Sequence, residues 1–229
     1  MKHLFKTMLL LAGTQCCLYA HTYAQKEITL EDILLKGSFR AAAVPGFDVL
    51  NNGTSYVKQE GNGDIAVYDM KSNKRLRTLF EKSVNTVEGQ ALDIDEFVFS
   101  ADEQKMLLLT HSENIYRRSV LHHVYVYDLK SKSIQQLDAD KVLHASFSPD
   151  GSKVAFVKAN NLYYKDLNSG KTIAVTTNGE HNKIINGNCD WVYEEEFEFT
   201  QAYQWSPSGQ YLAYYSFDES AVREFVIPF

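Results

Sequence analysis

The sequence predicts an all-β chain folded as a β-propeller of four-stranded antiparallel blades. Three observations point there. A layout of hydrophobic strand, tight polar turn and second hydrophobic strand recurs four times. The turn residues Gly53, Glu103, Gly151 and Gly209 lie 50, 48 and 58 positions apart, and an Asp tag closes the third strand of three units. Four strands in a repeat of this length make a blade.

In the first unit "FDVLNNGTSYVKQ" is followed by "DIAVYDMKSNKRLRTLF". The second joins "FVFSADEQKMLLLT" to "VYVYDLKSKSIQQL", and the third joins "ASFSPDGSKVAFVK" to "NLYYKDLNSGKTIAVT". The fourth runs from "QWSPSGQYLAYYS" to "REFVIPF", where the sequence stops, so about four blades of an incomplete ring are expected. Apolar and polar residues alternate along the strands, and Pro149-Asp150-Gly151 and Pro207-Ser208-Gly209 supply hairpin chemistry. Asn52-Gly53-Thr54 matches a glycosylation acceptor but reads as a turn. The tags Tyr68-Asp69-Met70, Tyr127-Asp128-Leu129 and Lys165-Asp166-Leu167 lead through short polar turns into a fourth strand. A β-sandwich would explain the alternation but not the repeated order of turn, strand and tag. An open arc of blades leaves strand edges unpaired and prone to aggregate.

Residues 1–24 read as a secretory signal peptide, with Lys2 and Lys6 before an apolar run from Met8 to Ala12 and small residues before Ala24-Gln25. That run is too short to span a bilayer comfortably, so a periplasmic or cell-surface protein is favoured over an uncleaved anchor. A lead-in segment over 25–45 and a partial propeller over 46–229 complete the expected organisation. The formal net charge of −6 becomes −8 without Lys2 and Lys6, which excludes nucleic acid as a natural partner. Cys16 and Cys17 leave with the leader, so Cys189 has no intrachain partner and no disulfide framework exists.

Two units carry insertions, the places where a rigid scaffold concentrates function. One is "HSENIYRRSVLHH", His111 to His123. The other, "NGEHNKIINGNCDWVYEEEFEF", sets three consecutive glutamates among aromatic residues. In a strand Glu195 and Glu196 would point to opposite faces; in a helical turn they stand about 100° apart and can reach one target. If the two act jointly, "VYEEE" is a short helix or turn, and Glu196-Phe197-Glu198-Phe199 reads as the return to strand. Two converging carboxylates suit an ammonium, a metal or a guanidinium; a peptide α-amino group is largely charged at neutral pH and brings three N–H donors. A solvated acidic surface is the plain alternative. No metal-ligand spacing surrounds the acids, His122 and His123 alternate along a strand, and neither a metal nor another cofactor is expected.

The run Asp190-Trp191-Val192-Tyr193-Glu194-Glu195-Glu196-Phe197, with Tyr116-Arg117-Arg118-Ser119 and "WSPSGQYLAYYSFDES", resembles the dipeptidyl peptidase IV family of serine peptidases. The resemblance implies an eight-bladed propeller before an α/β-hydrolase domain, with the active site between them. It implies that Glu195 and Glu196 hold the free N-terminal ammonium of a peptide with Pro or Ala in second position. Arg117 would bind the carbonyl of the first peptide unit and orient the acids. A homodimer of the full-length form is also implied. The sequence has no Gly-x-Ser-x-Gly elbow, so no catalytic residue is assigned, the hydrolase domain is expected to be absent, and the chain alone is expected to be inactive. The alternative is a non-enzymatic periplasmic propeller that binds peptides or proteins on its face.

Overall fold

A computed structural model describes residues 27–41 and 46–224 of the chain. The leader expected over 1–24 and most of "REFVIPF" lie outside the described residues. The chain divides into two units, 1–45 and 46–229. In the first, helix α1 (Leu30–Leu34) starts at a reciprocal cap: the Asp32 amide donates to Thr29 Oγ1 and the Thr29 amide to Asp32 Oδ2, both at 3.2 Å.

The second unit is made of antiparallel sheets in chain order. The first blade holds β1 (Asp48–Val49), β2 (Ser55–Gln59), β3 (Ile65–Asp69) and β4 (Arg75–Phe80). After a small hairpin, β5 (Thr86–Val87) and β6 (Gln90–Ala91), the second blade follows with β7 (Ile94–Phe99), β8 (Lys105–Asn114), β9 (Val120–Asp128) and β10 (Ile134–Gln136). The third holds β11 (Leu143–Phe147), β12 (Lys153–Lys158), β13 (Asn161–Asp166) and β14 (Thr172–Ala174). These are propeller blades.

The repeated turns are the same object built four times. The amides of Gly53, Glu103, Gly151 and Gly209 donate to the carbonyls of Leu50, Ser100, Ser148 and Ser206 at 2.8–2.9 Å, and all four turn residues have left-handed φ between 55° and 67°. Glycine adopts that conformation without strain, which explains three of the four choices. The turns also lie side by side: the Cβ position of Gly151 is 3.5 Å from Ser100 Cβ, and that of Gly209 is 3.6 Å from Pro149 Cδ. At the first turn Asn52 Oδ1 accepts from the Thr54 and Ser55 amides, the arrangement of a side-chain-stabilised turn.

Period-2 alternation joins one blade to the next. On β8, Met106 and Leu108 face a core with Val57, Ile65 and Phe80 of the first blade, while Leu107 and Leu109 face Val154 and Phe156 of the third. On β12, Ala155 and Val157 turn the other way, onto Tyr203 of the fourth unit. Central strands buried on both faces read as continuous apolar runs, as "KMLLLT" does. Each fully buried large side chain here contributes about 1.5–3 kcal/mol.

The fourth unit departs from the simple repeat. β16 (Tyr203–Trp205) and β17 (Leu212–Tyr214) form the expected hairpin, but the second strand then breaks. Its continuation, β18 (Ser216–Asp218), pairs instead with β15 (Ile184–Asn186) from the insertion. The first insertion is not a separate loop: β8 and β9 extend past the blade as a long hairpin, with a register shift between Thr110 and Glu113. No described helix is long and apolar enough to cross a membrane.

Candidate functional site

Two pieces of chain, about 75 residues apart, meet at the site: the tip of the β8–β9 hairpin and helix α2 (Trp191–Phe197). Asp190 starts the helix, its side chain accepting from the Tyr193 amide at 2.9 Å. Glu198 ends it in the left-handed conformation, φ 56°, with its amide donating to the Tyr193 carbonyl. This cap corrects the expected return to strand over Glu196–Phe199, because a left-handed residue breaks extended backbone; the next strand begins only at Tyr203. The helical turn itself is present, so the three glutamates project in different directions.

Glu194 points inward and is 1 % exposed. Its Oε1 accepts from the amides of Arg118 at 2.6 Å and Ser119 at 2.9 Å, and its Oε2 accepts from Ser119 Oγ at 2.5 Å. Burial pushes this carboxyl up, but the Ser119 hydroxyl and the two amides outweigh burial and hold it below its ordinary value. The sequence alone assigns Glu194 no role. Its signal was the helical phase, which turns it away from Glu195 and Glu196.

Glu195 is brought to Arg117: Nη1 lies 3.4 Å from Glu195 Oε2, with the Arg117 side chain 71 % and the Glu195 side chain 19 % exposed. Arg118 Nη2 lies 2.8 Å from Glu198 Oε1. Exposed pairs of this kind contribute about 0.5 kcal/mol to stability, so they orient groups more than they hold the fold. Glu196, one residue further round the helix, is exposed and makes no ion pair among the described residues. The three residues singled out from sequence are therefore a guanidinium, a half-buried carboxylate beside it, and a neighbouring free carboxylate.

Behind α2 the surroundings are polar but not nucleophilic. His144 Nε2 lies 2.8 Å from Asn188 Oδ1, and burial lowers the pKa of this imidazole. Burial, then the charges of Glu194 and Asp190, push the Cys189 thiol up to about 11, so it stays protonated at neutral pH. A cavity of about 370 Å³ opens at the start of α2, lined by Tyr116, Asn188, Asp190, Trp191 and Glu219 among others. Arg117, Glu195 and Glu196 do not line it. On the far side Tyr193 meets Phe197 and Phe217, with ring centroids 5.3 and 5.0 Å apart, so aromatic packing fixes the flank of the helix. Among the described residues no three His, Cys, Asp or Glu side chains converge as a metal site would require.

Residues 100–229 match the family model of the dipeptidyl peptidase IV N-terminal region. The chain belongs to the dipeptidyl peptidase IV family. Among its curated relatives, dipeptidyl aminopeptidase B of Saccharomyces cerevisiae is 36 % identical over 184 residues, covering 75 % of this chain and 22 % of that protein. Human prolyl endopeptidase FAP is 30 % identical over 200 residues, covering 86 % of this chain and 25 % of its own length. The crystal structure of Porphyromonas gingivalis dipeptidyl peptidase 4 superposes with a TM-score of 0.81 at 35 % identity, over 88 % of this chain and 29 % of that one. The chain thus spans about a quarter of the length of these relatives. Its blades correspond to the N-terminal propeller region of dipeptidyl peptidases.

Proposed function

We propose that this chain is the substrate-recognition part of a secreted dipeptidyl peptidase IV-like serine exopeptidase, which removes N-terminal Xaa-Pro and Xaa-Ala dipeptides. Glu195 and Glu196 receive the N–H groups of the substrate's terminal ammonium. Arg117 holds the carbonyl of the first peptide unit and keeps Glu195 turned toward the ligand. A hydrolase domain in the full-length protein supplies the serine nucleophile. Because the clamp sits a fixed distance from that nucleophile, it limits cleavage to the second residue from the end. Export by the leader places the enzyme in the periplasm or at the cell surface, where peptides with free N-termini are the partners; the full-length form is a homodimer.

The observation that carries this reading is the approach of Arg117 to Glu195 beside an exposed Glu196, on a helix pinned to the arginine's own hairpin. Each carboxylate at about 4 Å from an ammonium gains about 4 kcal/mol of gross attraction at an effective dielectric near 20. After desolvation, a hydrogen bond to a charged group keeps about 1.5–3 kcal/mol. Glu195→Gln and Glu196→Gln are therefore expected to weaken binding of Ala-Pro amide by about 10- to 100-fold each, measured by titration calorimetry or NMR. Unchanged affinity in both variants would remove the ammonium assignment.

A further inference from the structure

Arg117 reaches Glu195 across a gap that its own side chain cannot keep closed. The contact is long, at 3.4 Å, and the guanidinium is largely in solvent. Long exposed side chains lose conformational freedom when they pair, so something else must set the distance between hairpin and helix. The two residues that follow Arg117 supply the fixed points. Their amides, and the Ser119 hydroxyl, all donate to the single buried carboxylate of Glu194. Ser119 is itself fully buried, so this junction is closed to water. Charge-assisted bonds to a buried carboxylate are short and strongly directional, and three of them define the position and the tilt of the hairpin tip.

We propose that Glu194 is a positioning residue for ligand recognition: by gripping the backbone at Arg118 and Ser119, it holds Arg117 in register with Glu195 and Glu196. It touches no ligand itself. The inference rests on the ammonium reading above, since it explains how that constellation is kept assembled. It also explains why three acids stand in a row: the first faces the protein and the next two face outward. The consecutive placement is needed because one helical turn must carry both the anchor and the clamp.

The test measures how well the chain distinguishes Ala-Pro amide from its N-acetylated counterpart, which lacks the ammonium. Glu194→Gln keeps size and shape but replaces one acceptor oxygen with an NH2 that faces donors. It is expected to reduce the preference for the free amine about tenfold, with a smaller loss of affinity for the acetylated compound, whose first carbonyl Arg117 also holds. Arg117→Ala added to Glu194→Gln is expected to cause no further loss, because Arg117 is already out of register. Should Glu194→Gln fail to fold by circular dichroism, Ser119→Ala removes only the hydroxyl donor, and Ser119→Thr restores it; the first is expected to lower the preference and the second to recover it. A folded Glu194→Gln chain with undiminished preference, or an Arg117→Ala effect that simply adds to it, would overturn the positioning role. If Glu195→Gln loses the preference while Glu194→Gln keeps it, the clamp stands and only the positioning fails; if neither loses it, the ammonium reading fails.

Discussion

The carboxylates of the blade turns and the carboxylates of α2 make a useful pair of regions. In the turns, Asp69, Asp128 and Asp166 each accept from a serine three residues later, through both its amide and its hydroxyl, and Ser148 Oγ with Ser152 closes around Asp150 in the same way. These acids are spent on local structure, and their hydrogen bonds pull each carboxyl below its ordinary value, Asp150 to about 2. On α2 only Glu194 is used this way, and its partners are 75 and 76 residues distant in sequence. Glu195 and Glu196 keep acceptor capacity facing outward. Acids that repeat with the blade maintain the blade, whereas α2, which interrupts the repeat, carries one acid bound to the protein and two that face outward.

If that division holds, damage to the repeat should change stability without changing recognition. The largest effect is expected from Phe156→Ala, which empties a fully buried site between the second and third blades. A loss of about 3–5 kcal/mol in urea unfolding is expected, with ligand preference unaltered in the fraction that remains folded. A smaller effect, about 1 kcal/mol, is expected for Asp128→Ala, which frees the amides of Lys130 and Ser131 in a solvent-exposed turn. Unfolding curves check both, and a change in preference for the free amine in either variant would blur the distinction.

The pH dependence sharpens the same contrast. Burial lowers the pKa of His144 and of His122, so the unfolded chain takes up protons first; their contribution is complete above about pH 6.5 and declines below it. The turn aspartates act later. With folded pKa values below the unfolded value near 3.9, their contribution is complete above about pH 4 and is lost as pH falls toward 2. Glu219, which burial raises, opposes this trend. Denaturation midpoints taken at pH 7.5, 5.5, 4 and 2.5 are expected to fall at every step. A midpoint that rises between 7.5 and 5.5 would contradict the histidine account.

The blades were legible because their information is local. Left-handed turn residues, period-2 strands and Asp–Ser tags each lie within a few residues, and all four first hairpins stand where the spacing of Gly53, Glu103, Gly151 and Gly209 puts them. Helix α2 was legible as a conditional statement: joint action of Glu195 and Glu196 requires a helical turn, and Asp190 caps one. What the sequence hid depends on long-range pairing. The loan of β18 to β15, and the grip of Glu194 on Arg118 and Ser119, join segments that no periodicity connects. The continuation of "FEF" as strand failed because Glu198 takes the left-handed cap, a position that glycine more often marks.

The most direct test of the central claim, that the outward acids of α2 grip an ammonium, compares two ligands on the unsubstituted chain. Ala-Pro amide and N-acetyl-Ala-Pro amide differ in that one charge and its donors. The account predicts at least tenfold tighter binding of the free amine at pH 7; equal affinity for the two compounds would contradict it.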